Sequence, residues 1–194
     1  MDKVKEKIRN RTRILRIVLM ATFVALIIIG AQISIPMVPV PFTLQTLFVL
    51  LAGALLGGVE GFLVVIVYII MGLIGVPVFA GWKGGIASVL SPTFGFTIGF
   101  AFGALATGLI IGKRQDVSVI RLIIAVTIGT IIIYIFGITY YFILKIFYLG
   151  GDINVWNVFL TFWIMFIPTD ILKGFIVVLL TKKVAKFMYP NNNE

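Results

Sequence analysis

Six apolar runs leave this chain few ways to fold. They cover residues 15–34, 42–58, 60–75, 93–112, 119–148 and 155–187, with most of the prolines and charges and the longer glycine-rich stretch gathered outside them. In lipid every backbone N–H and C=O must be satisfied internally, which a helix does and an open strand does not. Four of the runs reach the roughly 17–25 residues that a membrane span requires, and the second and third fall at its lower edge. Composition agrees, because 61% of the 194 residues are hydrophobic and only 12% charged, outside the range of soluble domains. The pattern predicts an all-α integral membrane protein with six transmembrane helices.

The cations orient it. With the N-terminus inside, the inner segments hold Lys3, Lys5, Lys7, Arg9, Arg11, Arg13 and Arg16, then Lys113, Arg114 and Arg121, then Lys182, Lys183 and Lys186, thirteen of the sixteen basic residues. The outer side keeps Lys83 and Lys145. Positive residues accumulate on the cytoplasmic side, so the chain is expected to be a multi-pass membrane protein with both termini cytoplasmic. Residues 1–194 read as a single membrane domain, with 1–14 as a basic cytoplasmic segment against anionic lipid. A secretory signal peptide begins similarly, but the run after Arg16 is longer than a signal's apolar region and further spans follow. The net charge of +9 belongs to these flanks, so no nucleic-acid partner is expected.

The chain lacks Cys and His altogether. That removes thiolate chemistry, the serine triad, histidine zinc sites and histidine proton relays. The nearest approach to a phosphate-binding loop, Gly108 to Arg114, is one residue short and has Arg114 where a metal-binding Ser or Thr belongs. An enzyme is therefore not expected, nor a metal or cofactor of the chain's own. If ATP drives its action, another subunit supplies it. The two halves show no evident repeat, which argues against a carrier built from inverted repeats.

Two outer connections are unusual. Residues 35–41 hold three prolines and no charge, which predicts a stiff, extended lid or wall. Residues 75–92 are glycine-rich and too apolar for a freely solvated loop. They predict an ordered cap folded back onto the helices; the plainer reading is an interfacial loop anchored by Trp82. Gly53 and Gly57, the series Gly95, Gly99 and Gly103, and the pair Ala21 and Ala25 have the four-residue spacing of closely packed membrane helices.

The sixth run contains an anomaly. Asp170 and Lys173 interrupt the apolar stretch from Val155 to Thr181 just after Pro168. A charge at the centre of a bilayer costs about 2.5–3.5 kcal/mol on the mildest scales and usually marks a site or pathway. Three residues apart, the two heads share a helical face. Asp170 precedes Thr181 by eleven residues, about 16 Å at 1.5 Å per residue, near mid-membrane. Carboxylate acceptors beside ammonium donors suit an amide or ureide; a self-neutralising structural pair is the alternative. The other intramembrane polar residues are Thr43, Gln45, Thr46, Tyr68, Tyr134, Tyr140, Tyr141, Asn154, Asn157, Thr161 and Thr169. Most such groups join helices rather than touch ligands.

Several of these motifs occur together in one known family. Val40-Pro41-Phe42-Thr43-Leu44-Gln45-Thr46, Leu51-Ala52-Gly53, Gly75-Val76-Pro77-Val78-Phe79-Ala80-Gly81 with Gly84-Gly85, Pro92-Thr93 with Gly95, and Asp170-Ile171-Leu172-Lys173 resemble the biotin-specific S component, BioY, of energy-coupling factor transporters. The resemblance covers nearly the whole chain. It implies a bacterial or archaeal membrane subunit that binds biotin and works with a transmembrane coupling subunit and two cytoplasmic ATPases. It assigns ligand binding to Asp170 and Lys173, the glycine-rich cap to Gly81, Trp82, Lys83, Gly84 and Gly85, and docking of the coupling subunit to Ala21 and Ala25; Lys83 is either a contact for the ligand carboxylate or an exposed loop charge, and Thr43 and Gln45 are further candidates for ligand contact from the second helix. The family often has Gly-Pro-Thr-Gly-Gly-Tyr where this chain has Ser91-Pro92-Thr93-Phe94-Gly95-Phe96, so a hydroxyl is missing there. An S component for another vitamin, an ion-coupled carrier with Asp170 as proton site, and a membrane scaffold remain the competing expectations.

Overall fold

Each apolar run becomes a helix whose ends are set by the residues that break it. The computed structural model describes the backbone of residues 2–37, 40–112, 117–150 and 155–188, and the side chains of 13–37, 40–112, 117–148, 150, 156 and 166–185. Helix α1 spans Asp2–Gln32, so the basic segment and the first apolar run are one helix; no Pro or Gly falls between them to stop it. A two-residue strand β1 (Ser34–Ile35) pairs antiparallel with β2 (Phe42–Thr43), Ser34 opposite Thr43 and Ile35 opposite Phe42. This hairpin uses residues expected to begin the second helix, and α2 is accordingly short, Gln45–Leu56. It stops at Gly57, whose φ of 98° suits glycine and few other residues. Helix α3 resumes at once as Gly58–Leu73.

Helix α4 is Phe94–Ile111, closed by Gly112 at φ 71°, a left-handed stop. Ser118 caps α5 (Val119–Leu144), its hydroxyl accepting the Arg121 N–H. A π-helical turn, Lys145–Leu149, extends α5. Helix α6, Val155–Met188, continues through Pro168 without interruption. Among the described residues three helical stretches, Arg13–Gln32, Phe94–Ile111 and Val119–Tyr148, are long and apolar enough to cross a membrane. Lys113, Arg114 and Asn154, and the side chains of Asn157, Thr161, Lys186 and the cations before Arg13, lie outside the described residues, as do Val38 and Pro39 of the proline-rich hairpin.

The glycines bring helix backbones together. A Cβ built on Gly53 would fall on the Ala104 carbonyl, and one on Gly108 would fall on the Gly58 nitrogen and the Gly53 carbonyl, so α2, α3 and α4 cross with almost no side chain between them. Gly95, Gly99 and Gly103 lie against Tyr140, Ile133 and Gly129 of α5. Around these crossings Val49, Ala52, Val64, Val65 and Ala104 are fully buried. Ala21 and Ala25, by contrast, lie exposed on the outside of α1.

Residues 75–92 form an ordered cap. The Gly85 N–H donates to the Gly72 carbonyl at 2.7 Å, Phe79 and Lys83 pair through both backbone bonds, and Ile86–Leu90 makes a short 3-10 turn. Three helices hold it. From the end of α1, the Gln32 amide donates to the carbonyls of Val78 (3.4 Å) and Phe79 (3.2 Å) and accepts the Trp82 N–H at 3.1 Å. From α3 the Tyr68 hydroxyl donates to the Val78 carbonyl at 3.3 Å, and from α5 the Tyr140 hydroxyl donates to the Val89 carbonyl. Trp82 sits at the tip with φ 59° and an exposed ring.

Three outcomes follow from this packing. Gly53→Leu is expected to lower stability by about 3 kcal/mol or to prevent folding, because the displaced atoms are backbone. Gly174→Ala, whose new Cβ meets only the Val126 side chain at 3.2 Å, is expected to be tolerated; thermal melts followed by circular dichroism in detergent compare the two. Gln32→Leu removes three bonds to the cap and is expected to speed amide hydrogen exchange at Trp82 and Lys83 about tenfold or more, with exchange in α4 unchanged.

Candidate ligand-binding site

Below the cap, at the meeting point of α2 to α6 with the hairpin, lies an open-mouthed pocket to which all of these elements contribute side chains. One wall carries the charges. Lys173 donates to Asp170 Oδ1 at 2.8 Å, and the two side chains are 6% and 10% exposed. The i,i+3 spacing alone brings them together, and both face the pocket. Two further groups hold the pair. The Tyr134 hydroxyl of α5 donates to Asp170 Oδ2 at 2.5 Å, and the Phe42 ring of β2 lies 4.0 Å from Lys173 Nζ, a cation–π contact that accommodates an ammonium away from water.

The opposite wall is polar but uncharged. Thr43 accepts the Gln45 N–H at 3.3 Å and donates to the Gln45 side-chain oxygen at 3.1 Å; Gln45 donates in turn to the Tyr68 hydroxyl at 2.7 Å, and Tyr68 donates to Val78 of the cap. The set is buried, with Tyr68 at 0% exposure. This chain of bonds links the hairpin, α2, α3 and the cap, so the pocket wall and its lid share one network. Thr46 lines the same side.

Between the two polar walls the lining is aromatic. Phe79 reaches in from the cap and meets Tyr68 edge-on at 5.5 Å, while Phe96 and Phe166 meet the Tyr134 ring edge-on at 6.2 and 6.5 Å. Phe100, Ile133, Val40, Pro41 and Ala80 complete the apolar part, and Thr93 and Thr97 add hydroxyls from the start of α4. The first two turns of α4 serve two purposes: Phe96 and Phe100 face the pocket while Gly95 and Gly99 let α5 approach.

Of the residues singled out from sequence, Asp170, Lys173, Thr43 and Gln45 line this pocket together. The cap reaches it through Phe79 and Ala80, whereas Gly81, Trp82, Lys83 and Gly84 are exposed on the cap's outer side and Gly85 is half-buried. Lys83 joins the cap through its backbone, opposite Phe79. Ala21 and Ala25 are remote from the pocket lining, on the exposed side of α1. Sequence reasoning passed over Gln32, Phe42 and Phe79 as individual residues, because neither a cap bond nor a cation–π contact leaves a local pattern. Tyr134 stood out only as one polar group among several in the apolar runs. Among the described residues no group of acidic side chains has the arrangement of a metal site.

Comparison with known proteins agrees over nearly the full length. The family model described as the BioY family matches residues 3–189. A probable biotin transporter BioY from Lysinibacillus sphaericus is 42% identical over 172 residues, 89% of this chain and 87% of the relative. The biotin transporter BioY of Rhodobacter capsulatus is 36% identical over 178 residues, 88% of this chain and 93% of that one. Among solved structures, the S-component for biotin from an ECF-type ABC transporter superposes with a TM-score of 0.78 at 27% identity, covering 94% of this chain and 98% of the other. With a family match spanning its helices, its cap and its charged pair, this chain belongs to the BioY family.

Proposed function

We propose that this chain is the biotin-binding S subunit of an energy-coupling factor transporter, taking biotin from the outer face and delivering it inward with partner subunits. The observation that carries this reading is the buried Asp170–Lys173 pair lining a pocket whose other walls combine aromatic rings with hydroxyl, amide and aliphatic groups. The carboxylate accepts ureido N–H groups and the ammonium donates to the ureido oxygen, while Phe79, Phe96 and Phe166 enclose the apolar bicyclic body. The names of the relatives point the same way. The protein is a transporter subunit and not an enzyme.

Six spans with both termini cytoplasmic accommodate the fold. Helices α2 and α3 are 12 and 16 residues long, about 18 and 24 Å, but α2 is buried along most of its length, so neighbouring helices rather than lipid surround it. Arg13 and Arg16 near the start of the first apolar run, with Lys182 and Lys183 near the end of the last, support the inner placement of both ends. The localisation that follows is the plasma membrane of a bacterium or archaeon. Energy comes from a transmembrane coupling subunit and two cytoplasmic ATPases, which leaves this chain without a cofactor of its own. Ala21 and Ala25, exposed on α1, offer a flat strip on which a partner helix can pack closely.

Equilibrium dialysis with labelled biotin tests the site. Asp170→Asn and Lys173→Met are each expected to weaken binding by about 2–5 kcal/mol, since each leaves the other charge buried without its counter-charge. Unchanged affinity in both removes the assignment, and displacement of biotin by thiamine, riboflavin or niacin moves the protein to another vitamin. Ala21→Trp with Ala25→Trp is expected to leave biotin affinity intact and to abolish ATP-driven uptake in proteoliposomes holding all subunits. Uptake by this chain alone that collapses with the ion gradient instead identifies a carrier.

A further inference from the structure

Asp170 and Lys173 share a helical face, and left to themselves they can close on each other. An ammonium that straddles both carboxylate oxygens spends two of its three N–H groups on them and leaves a single one for a ligand. The observed arrangement is different: Lys173 bonds Oδ1 at 2.8 Å, and Oδ2 receives the Tyr134 hydroxyl at 2.5 Å. Tyr134 belongs to α5, so the constraint on Asp170 comes from a second helix. Its ring is held edge-on by Phe96 and Phe166, which restricts where the hydroxyl can swing. Phe42 occupies another side of the ammonium at 4.0 Å. A carboxylate has about four lone-pair sites and an ammonium three N–H groups. The hydroxyl therefore keeps the lysine on one oxygen and leaves acceptor and donor capacity side by side.

From this we infer that Tyr134 is the positioning residue that sets ligand specificity. Resting on the biotin reading above, its hydroxyl holds Asp170 so that the pocket selects a ligand edge with an N–H next to a carbonyl, as in a cyclic urea. Phenylalanine at this position keeps the ring and its packing but frees Oδ2. Asp170 can then turn to take Lys173 with both oxygens, and the site loses its ability to distinguish a carbonyl from an N–H at the ligand's edge.

The test compares biotin with 2-iminobiotin, in which an imino nitrogen replaces the ureido oxygen. Both are measured by equilibrium dialysis on purified wild type, Tyr134→Phe and Asp170→Asn, with thermal melts on each. Tyr134→Phe is expected to weaken biotin binding about tenfold and to shrink the biotin-to-iminobiotin affinity ratio by a similar factor, at an unchanged melting temperature. An unchanged ratio overturns the assignment even if both affinities fall, because a purely structural tyrosine affects the two ligands alike. If Asp170→Asn loses biotin while Tyr134→Phe keeps the wild-type ratio, the role of the tyrosine fails and the site stands. Biotin binding unaffected by Asp170→Asn overturns the site itself. Tyr134→Met, flexible enough to refill the space, repeats the measurement if phenylalanine lowers the yield of folded protein.

Discussion

A carboxylate and an ammonium held out of water next to each other are the constraint to which the pocket half of this molecule conforms. Removing two such charges from solvent costs several kcal/mol per ion, and a salt bridge alone often fails to offset it. Here each head has more than its partner: Asp170 accepts from Tyr134, and Lys173 rests on the Phe42 ring. Those two supports come from α5 and from the hairpin, so satisfying one pair on α6 requires elements far apart in sequence to converge. A hydrophobic replacement would be cheaper for stability. Retaining the pair makes sense for binding a polar ring within an otherwise apolar protein.

The bundle divides its helices between close packing and enclosure. Glycines at 53, 57, 58 and 108 remove side chains where α2, α3 and α4 cross, and Gly95, Gly99 and Gly103 do the same between α4 and α5. On the other face of α4, Phe96 and Phe100 occupy the space that remains and form a wall. The cap closes above it without a regular helix or sheet of its own, held by side chains from three helices and by its own backbone bonds. Because Tyr68 bonds both to Gln45 in the pocket wall and to Val78 in the cap, a shift in the wall reaches the lid directly.

Much of this was legible in the sequence, for identifiable reasons. Apolar runs predict helices well when lipid forbids most alternatives, and two charges inside one run are conspicuous because their cost is high. The boundaries were less legible. Phe42 and Thr43 look like the opening of a helix, but pairing with Ser34 and Ile35 satisfies their backbone as a hairpin. The basic residues at the N-terminus look like a separate segment, yet nothing in them interrupts α1. Gln32 escaped attention because its meaning lies in carbonyls 46 and 47 residues away.

The sequence by itself determined that the chain lies in a membrane, that residues 75–92 fold back as an ordered cap, and that Asp170 and Lys173 share a face. These are local properties: hydropathy, proline and glycine content, and a three-residue spacing. Tertiary structure alone decided which tyrosine meets Asp170, which ring covers Lys173, and that the cap enters the pocket with Phe79 rather than with Trp82 or Lys83. Contacts of this kind depend on how helices pack and turn against one another, and no period or motif along a single helix encodes that rotation.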